Sequence, residues 1–274
     1  MFVNKLAPIA RRYATDSNVS RMSFEKTLTN EEITKQLTGM FNILSHMKSN
    51  KKYKTQDLIS DVGFYCYKSK SSIEGAGFGV FSRCDTFIPK GSVVSIYSGT
   101  VYANYEPTFL PSIGNKFILQ RKDGFLIDGN DRYMSKIIYK SCKTRERYYD
   151  TRESKHVELC DDSWLQFRHQ TSHQDFCNNS VLNPYAIGHY INSSHENHKN
   201  QTQEANVMYF EYEFDRDEWP DDLLQFIPNV HYSTQTMYLR ANKCGLIKSI
   251  VLVALRDILN GEELFACYKN LVYT

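Results

Sequence analysis

The chain of 274 residues carries 33 Lys and Arg against 31 Asp and Glu, a net charge of +2 at pH 7. This near-neutral balance gives no reason to expect a nucleic-acid or membrane-surface partner. Hydrophobic residues at 41% and charged residues at 23% are ordinary for a globular protein, and no apolar run reaches the roughly 18 residues of a membrane span. The length fits one substantial domain with an accessory segment, or two small domains.

The cysteine pattern and the first 24 residues bear on the compartment. The 7 cysteines are scattered and form no CxxC motif, which favours a reducing, intracellular environment such as the nucleus or cytoplasm over a disulfide framework or zinc ribbon. The first 24 residues contain Lys5, Arg11, Arg12 and Arg21 against Asp16. This composition is typical of a mitochondrial leader and equally of a disordered basic tail, so both interpretations stay open.

Residues 1–62 are predicted to form an N-terminal tail followed by a helical segment. Thr29 and Glu32 have the spacing of a capping box, which predicts a helix that begins there. The apolar residues that follow recur at helical spacing: Ile33, Leu37, Met40, Phe41 and Leu44. We therefore expect this helix to pack one face against a neighbouring domain.

Residues 63–274 are predicted to form one mainly β (α+β) domain. Short runs of Val, Ile, Phe and Tyr alternate with Gly- and Asp-containing turns. The predicted strands are Val93–Tyr97, Phe117–Gln120, Phe125–Ile127, Val207–Tyr212 and Ile250–Leu255. The aromatic content, 19 Tyr and 16 Phe, also favours a strand-rich interior.

The stretch from about 131 to 179 is polar and histidine-rich and is predicted to be an insertion, with helical character at Trp164–His173. His169, His173 and Cys177 have the spacing of one helix face, as the start of a metal site would. A solvated helix that happens to be rich in histidine explains the same spacing, so we predict no metal site.

Glycines occupy every second position of the turn Gly75–Gly79. A dinucleotide-binding fingerprint needs G-x-G-x-x-G spacing with a helix directly after it, and a Walker loop needs Gly-Lys-Ser/Thr, so both are excluded. What remains is an ordinary β-turn or a turn whose backbone approaches a ligand closely, since glycine has no Cβ to block the approach.

Four segments in a fixed order resemble the SET-domain methyltransferases. The segments are similar to the family's G-x-G, Y-x-G, R-F-I-N-H-S and G-E-E-L-x-x-x-Y motifs and are, in order, Gly75–Gly79, Tyr97–Gly99, Gly188–Ser194 and Gly261–Tyr268. The resemblance covers most of residues 63–269. It implies the family's β-clip fold, in which the third segment and the C-terminal segment pass each other in a pseudoknot.

The resemblance also implies S-adenosyl-L-methionine as cofactor. This cofactor has no phosphate, so neither a helix N-terminus nor basic residues are needed to bind it. The residues implied to contact it are Gly75, Gly77, Phe78, Gly79, Tyr190, Asn192, Ser193 and Tyr268. Of these, Gly77 and Phe78 are expected to offer backbone carbonyls to the cofactor's amino group.

The implied substrate is a lysine-containing protein, with no clear nucleic-acid or membrane partner. An apolar, aromatic channel lowers the pKa of a lysine and so favours the neutral amine that methyl transfer requires. Tyr97, Tyr190 and Phe265 are expected to line that channel, and Tyr268 and Tyr97 are the predicted catalytic residues, orienting the amine or the methyl group.

The third segment departs from the family pattern. His189 stands where the family usually has Arg, and Ser193 stands where it has His. These changes leave the backbone contacts intact but put the side-chain contacts in question. The leading interpretation is a protein-lysine N-methyltransferase, and the alternative is a catalytically weak or inactive SET-fold module that binds a partner protein.

Overall fold

The computed structural model of the chain describes residues 28–50, 54–151, 154–178, 182–194, 203–233 and 245–267. The basic N-terminal tail and Tyr268 lie outside these ranges. None of the helices within them has the length and hydrophobicity that crossing a membrane requires.

The helices of the described residues are short except for the first. In chain order they are α1 (Asn30–Ser49), α2 (Leu58–Asp61), α3 (Phe109–Ser112), α4 (Tyr133–Lys143), α5 (His173–Asn178) and α6 (Asp221–Leu224). Three 3-10 helices span Thr55–Asp57, Ser163–His169 and Gly188–Tyr190.

The strands of the described residues are more numerous than the helices. They are β1 (Phe64–Lys70), β2 (Phe78–Cys84), β3 (Phe87–Ile88), β4 (Val93–Ile96), β5 (Gly99–Tyr102), β6 (Ile118–Gln120), β7 (Leu126–Asp128), β8 (Arg147–Asp150), β9 (Lys155–Glu158), β10 (Asn192–Ser193), β11 (Val207–Asp215), β12 (Asn229–His231), β13 (Leu246–Ala254), β14 (Ile258–Leu259) and β15 (Phe265–Ala266). The prediction of a mainly β chain preceded by a short helical segment is confirmed.

The strands form several small sheets. A five-stranded sheet has the order β10-β15-β11-β13-β4, and a four-stranded sheet has the order β12-β5-β7-β6. Three two-stranded sheets pair β1 with β2, β3 with β14, and β8 with β9. Strand β13 lies between β11 and β4, so Ile250–Ala254 is buried on both faces and reads as a continuous apolar run.

Helix α1 packs against the β-rich part of the chain. The predicted capping box is present, since Glu32 N lies 3.2 Å from Thr29 Oγ1 and Thr29 N lies 2.8 Å from the Glu32 carboxylate. All five predicted apolar residues of its inner face are buried. Phe41 contacts the rings of Phe214, Trp219 and Phe226 at centroid distances of 5.4 to 6.1 Å. The domain boundary at residue 62 stays a prediction.

The predicted insertion, 131–179, contributes to the core. Trp164, Leu165 and Phe167 are buried. They lie in the 3-10 helix Ser163–His169, and α5 begins only at His173. The predicted helical character over Trp164–His173 is present as this 3-10 helix, but it is interrupted after His169 and resumes only with α5 at His173. Because of this break His169 and His173 do not share a helix face, and no group of three metal-binding side chains occurs within the described ranges.

Candidate functional site

The glycine turn connects the antiparallel strands β1 and β2, whose register pairs Lys70 with Phe78. Gly75 and Gly77 have φ angles of +82° and +81°, a region that favours glycine. The Gly77 carbonyl accepts a hydrogen bond from Ser71 N at 3.0 Å, which closes the loop. These two glycines are therefore required by the backbone conformation of the turn.

Gly79 is required for a different reason, close packing. A Cβ at this position would lie 2.0 Å from Glu263 Oε1 and 3.2 Å from Asn192 Nδ2. Both neighbours belong to segments far along the chain. Gly79 therefore lets the segments that contain Asn192 and Glu263 approach the start of β2.

Glu263 is a buried carboxylate, 5% exposed, that is bonded to the loop before the glycine turn. It accepts hydrogen bonds from Ser71 Oγ at 2.6 Å, from Ser72 N at 2.7 Å and from Ser72 Oγ at 2.5 Å. Such bonds offset the cost of burying a charged group. Glu263 thereby ties the segment Gly261–Cys267 to this loop.

Asn192 links the same two regions to the third predicted segment. Its Nδ2 lies 3.0 Å from the Phe78 carbonyl, 3.2 Å from Ser71 Oγ and 3.3 Å from Glu263 Oε1. The short strand Asn192–Ser193 runs parallel to Phe265–Ala266. The structure thus brings the glycine turn, Asn192, Ser193 and Phe265 together.

A buried lysine lies beside this junction. The Lys68 ammonium is 4.4 Å from the centroids of both the Phe78 and Tyr190 rings, and it donates a hydrogen bond to the Phe167 carbonyl at 2.6 Å. Its side chain is fully buried. Two aromatic faces and a carbonyl stabilise the ammonium in place of water.

Charged groups around Lys68 are few. Burial lowers the pKa of Lys68 to about 8, while Asp131 acts in the opposite direction. Asp131 Oδ2 accepts a hydrogen bond from Tyr190 Oη at 2.6 Å, and burial raises the pKa of that tyrosine above its ordinary value. Burial lowers the pKa of His189 to about 3. At neutral pH His189 is therefore a neutral imidazole, and the cations of this cluster are Lys68 and Arg132, the latter 3.5 Å from Asp131 Oδ1.

Two side chains near Lys68 carry polar atoms without partners. His189 Nδ1 and Nε2 and both side-chain polar atoms of Gln170 are buried and have no hydrogen bond within the described residues. Gln170 N bonds to the Phe167 carbonyl, the acceptor that Lys68 also uses. Buried polar atoms normally have a partner, so their orphaned state fits a site that takes up polar groups of a ligand or water.

Two of the predicted channel residues, Tyr97 and Tyr190, lie against the same cluster, while Phe265 pairs with Asn192. Tyr97 is buried and donates a hydrogen bond to the Phe117 carbonyl at 2.9 Å. Its ring is 6.5 Å from that of His189, and the Phe117 ring is 6.1 Å from that of Tyr190. Tyr97 and Tyr190 thus border one aromatic wall, completed by His189 and Phe117. Tyr268 lies outside the described residues, so its predicted role stays a prediction.

Lys68 was missed by the sequence analysis. Its position on β1 offered a signal, because strand residues two apart share a face and Cys66 and Phe64 are buried. Asp131, Phe117 and Gln170 were missed as well, because each reaches the cluster only through folding of distant segments.

Comparison with known proteins gives two curated relatives. Both are named SET domain-containing protein 9, one from Pongo abelii and one from Homo sapiens, and each is 39% identical over 215 residues. The match covers 78% of this chain, 67% of the Pongo abelii protein and 61% of the human protein. No family model matches the chain.

Comparison with solved structures gives chains from Polycomb Repressive Complex 2. One is ctPRC2 in an autoinhibited conformation bound to S-adenosylmethionine, with 14% identity, 79% coverage of this chain, 16% of that chain and a TM-score of 0.35. Another is a humanized mutant of the Chaetomium thermophilum complex bound to the inhibitor GSK126, with 15% identity, coverage of 76% and 15%, and a TM-score of 0.34. At such low scores neither likeness bears on what this chain binds.

Proposed function

The chain belongs to the SET-domain family, and from that premise we propose that it is an S-adenosylmethionine-dependent methyltransferase that acts on lysine side chains of a protein. The observation that carries the proposal is the meeting of three motifs at one point. Asn192 Nδ2 lies within hydrogen-bonding distance of both the Phe78 carbonyl and Glu263 Oε1. Asn192 and Phe78 are positions at which the family resemblance implies a cofactor contact, and Glu263 lies in the fourth motif segment.

The residues around this point fit the chemistry of S-adenosylmethionine, which bears an amino group, a carboxylate, a sulfonium and an adenine. When bound, the cofactor supplies a methyl group activated by the sulfonium. The Lys68 ammonium suits the carboxylate, because opposite charges attract strongly where water is excluded. The Gly77 and Phe78 carbonyls each accept one hydrogen bond already, and a carbonyl oxygen has capacity for a second.

Aromatic side chains suit the proposed methyl acceptor, which is a lysine side chain. The wall of Tyr97, Tyr190, Phe117 and neutral His189 excludes water and adds no positive charge of its own. Desolvation lowers the pKa of an incoming lysine and favours its neutral, nucleophilic form. Tyr97, whose hydroxyl is held by the Phe117 carbonyl, positions this wall, and Tyr268 is the proposed group that orients the amine.

Calorimetric titration of S-adenosylmethionine into the purified protein tests the cofactor site. We expect binding that Lys68→Met weakens by about tenfold or more, the size of one buried charged hydrogen bond. Lys70→Met is the matched control, since Lys70 lies two residues along the same strand and is exposed. Unchanged affinity in Lys68→Met would contradict the assignment of Lys68, and a folded protein that binds no cofactor would contradict the proposed function.

Methyl transfer is tested with tritiated S-adenosylmethionine and a set of candidate proteins, followed by mass spectrometry of the modified residue. We expect labelled lysine, with the label lost in Tyr268→Phe while calorimetric binding persists. Labelling of another residue type would overturn the lysine assignment. Cofactor binding without any transfer would favour the partner-binding module instead.

A further inference from the structure

Helix α4 and the turn that contains Ile113 carry an exposed apolar surface. Four of the large apolar side chains most exposed among the described residues lie here: Ile113 at 65%, Tyr133 at 79%, Met134 at 44% and Ile137 at 63%. We call these four residues the α4 patch. Exposed apolar side chains that cluster in this way typically mark a surface that another molecule covers.

Contacts within the fold hold the parts of the α4 patch together. Helix α3, which ends at Ser112, packs against α4. The Asn115 amide lies 2.8 Å from Asp128 Oδ1 and 3.5 Å from Ser135 Oγ, and this fixes the turn containing Ile113 next to the first turn of α4. The patch is therefore one surface built from two segments of the chain.

Two apolar residues of α4, Met134 and Ile137, point outward and are exposed. The residues that the helix buries are Ser135, Tyr139 and Cys142, and Ile138 is partly buried against the core. A helix normally buries its aliphatic residues and exposes its polar ones. Tyr133 also has a φ of +48°, a conformation that is unfavourable for a residue with a Cβ.

The charge of this surface is positive. Helix α4 contains Lys136, Lys140 and Lys143 and no Asp or Glu. Lys143 lies 3.4 Å from Glu158 and 3.1 Å from Asp162, whereas Lys136 and Lys140 form no ion pair within the described part of the chain. Lys136 and Lys140 both lie close to Ile137 along the helix. A bound molecule with apolar and acidic side chains would therefore complement the surface.

Two links join the α4 patch to the candidate site. Asp131, two residues before Tyr133, accepts the hydrogen bond of the Tyr190 hydroxyl at 2.6 Å. Phe117, four residues after Ile113, holds the Tyr97 hydroxyl through its carbonyl at 2.9 Å. Both segments of the α4 patch are thus continuous in sequence with residues that hold the aromatic wall.

We propose that the α4 patch docks the protein substrate and selects one in which leucine-like and acidic residues flank the target lysine. The proposal rests on the proposed function, because the occupant is named as the substrate of that site. A nucleic acid is a poorer fit: phosphates would pair with the lysines but leave Ile113, Met134 and Ile137 exposed.

Fluorescence anisotropy with short labelled peptides, in the absence of cofactor, tests the docking surface. One peptide has a central lysine flanked by Leu and Glu, and the second has Arg in place of each Glu. We expect the acidic peptide to bind, and Ile137→Ser to weaken it about tenfold, the effect of losing one well-buried interface side chain. The matched control is Leu259→Ser, since Leu259 is also 63% exposed and lies elsewhere, on β14.

Charge is tested separately by the double variant Lys136→Glu/Lys140→Glu. We expect it to weaken the acidic peptide and to strengthen the basic one, while Lys35→Glu/Lys70→Glu, on exposed residues elsewhere, changes neither. Equal binding of the two peptides, or retained binding in Ile137→Ser, would overturn the proposal. Tighter binding of a single-stranded oligonucleotide than of the acidic peptide would overturn it as well.

The cofactor titration keeps the two proposals distinguishable, because the peptide assay needs no cofactor. Peptide binding that depends on Ile137, in a protein that binds S-adenosylmethionine, supports both. If the protein binds no cofactor, the proposed function fails and the peptide is a partner rather than a substrate. Cofactor binding without peptide discrimination overturns the docking surface alone.

Discussion

The side-chain amide of Asn192 donates a hydrogen bond to the carbonyl oxygen of Phe78 at 3.0 Å, across 114 positions of sequence. The same nitrogen lies 3.3 Å from Glu263 Oε1, and Glu263 in turn bonds to Ser71 and Ser72. The glycine turn therefore does not hold its shape alone. Two distant segments fix it, so changes at the turn should affect stability and cofactor binding together.

Gly79→Ala tests that coupling. The added Cβ would lie 2.0 Å from Glu263 Oε1, and the carboxylate cannot move aside without losing its bonds to Ser71 and Ser72. We expect a loss of stability of about 1–3 kcal/mol, as for other overpacked buried sites, together with weaker cofactor binding. Urea denaturation and calorimetry measure the two effects.

Gly39→Ala is the control for this change. Gly39 lies within α1, its φ is not in the left-handed region, and nothing lies within 4 Å of the added Cβ. We expect this variant to gain about 0.5–1 kcal/mol, because alanine is the better helix former. A Gly79→Ala protein as stable as the wild type would show that the Glu263 contact does not constrain the turn.

Lys68 gives a prediction in which stability and binding move in opposite directions. Its pKa in the fold, about 8, lies below the ordinary value of 10.5. Between these two values the unfolded chain binds more protons, so the free energy of unfolding rises with pH across that window. Below about pH 8 the buried ammonium destabilises the fold. Lys68→Met should therefore raise the thermal midpoint at pH 7 while weakening cofactor binding.

The pH dependence of cofactor binding follows from the same value. As pH rises from 7 to 9 the wild type loses the Lys68 charge and should bind S-adenosylmethionine more weakly. The cofactor's own amino group titrates as well, but it does so equally in Lys68→Met. The loss of affinity that occurs in the wild type but not in Lys68→Met is therefore assigned to Lys68. Identical pH profiles for the two proteins would contradict that assignment.

His189→Arg tests whether a further buried cation beside Lys68 is tolerated. His189 is buried among the rings of Trp164, Tyr97 and Phe117, and a guanidinium there would lie near the Lys68 ammonium. We expect the single variant to be destabilised. We also expect the double variant Lys68→Met/His189→Arg to recover part of that loss, because removal of the first charge relieves the repulsion. Additive losses in a double-mutant cycle would show that the two positions do not interact.

The sequence predicted the parts of this molecule that local pattern or motif order determines. It predicted the capping box at Thr29 and the inner face of α1. It also predicted the order of the motif segments that contain the glycine turn, Asn192 and Glu263. Lys68 was not predicted, because a lysine in a strand is ordinarily exposed, and the Phe78 and Tyr190 rings and the Phe167 carbonyl that stabilise it inside come from other segments.

Helix α4 shows a second kind of failure. Its buried residues are Ser135, Tyr139 and Cys142 and Ile138 is partly buried, whereas Met134 and Ile137 are exposed. The apolar residues of α4 are therefore divided between its two faces, and the sequence analysis predicted the segment to be a polar insertion. Apolar residues that serve an external surface, as we propose for Ile137, do not follow the helical spacing by which buried apolar residues are recognised in a sequence.

Phe41→Ala tests whether α1 stabilises the β-rich part of the chain. The Phe41 ring is fully buried and packs against Phe214, Trp219 and Phe226. We expect a loss of about 3–5 kcal/mol, the range for large-to-small changes at buried aromatic sites, and one cooperative urea transition. Phe87→Ala is the matched control, since Phe87 is 45% exposed, and it should cost less than about 1 kcal/mol. Two separate transitions, with only the first shifted by Phe41→Ala, would show that α1 unfolds independently and that the boundary at residue 62 separates two units.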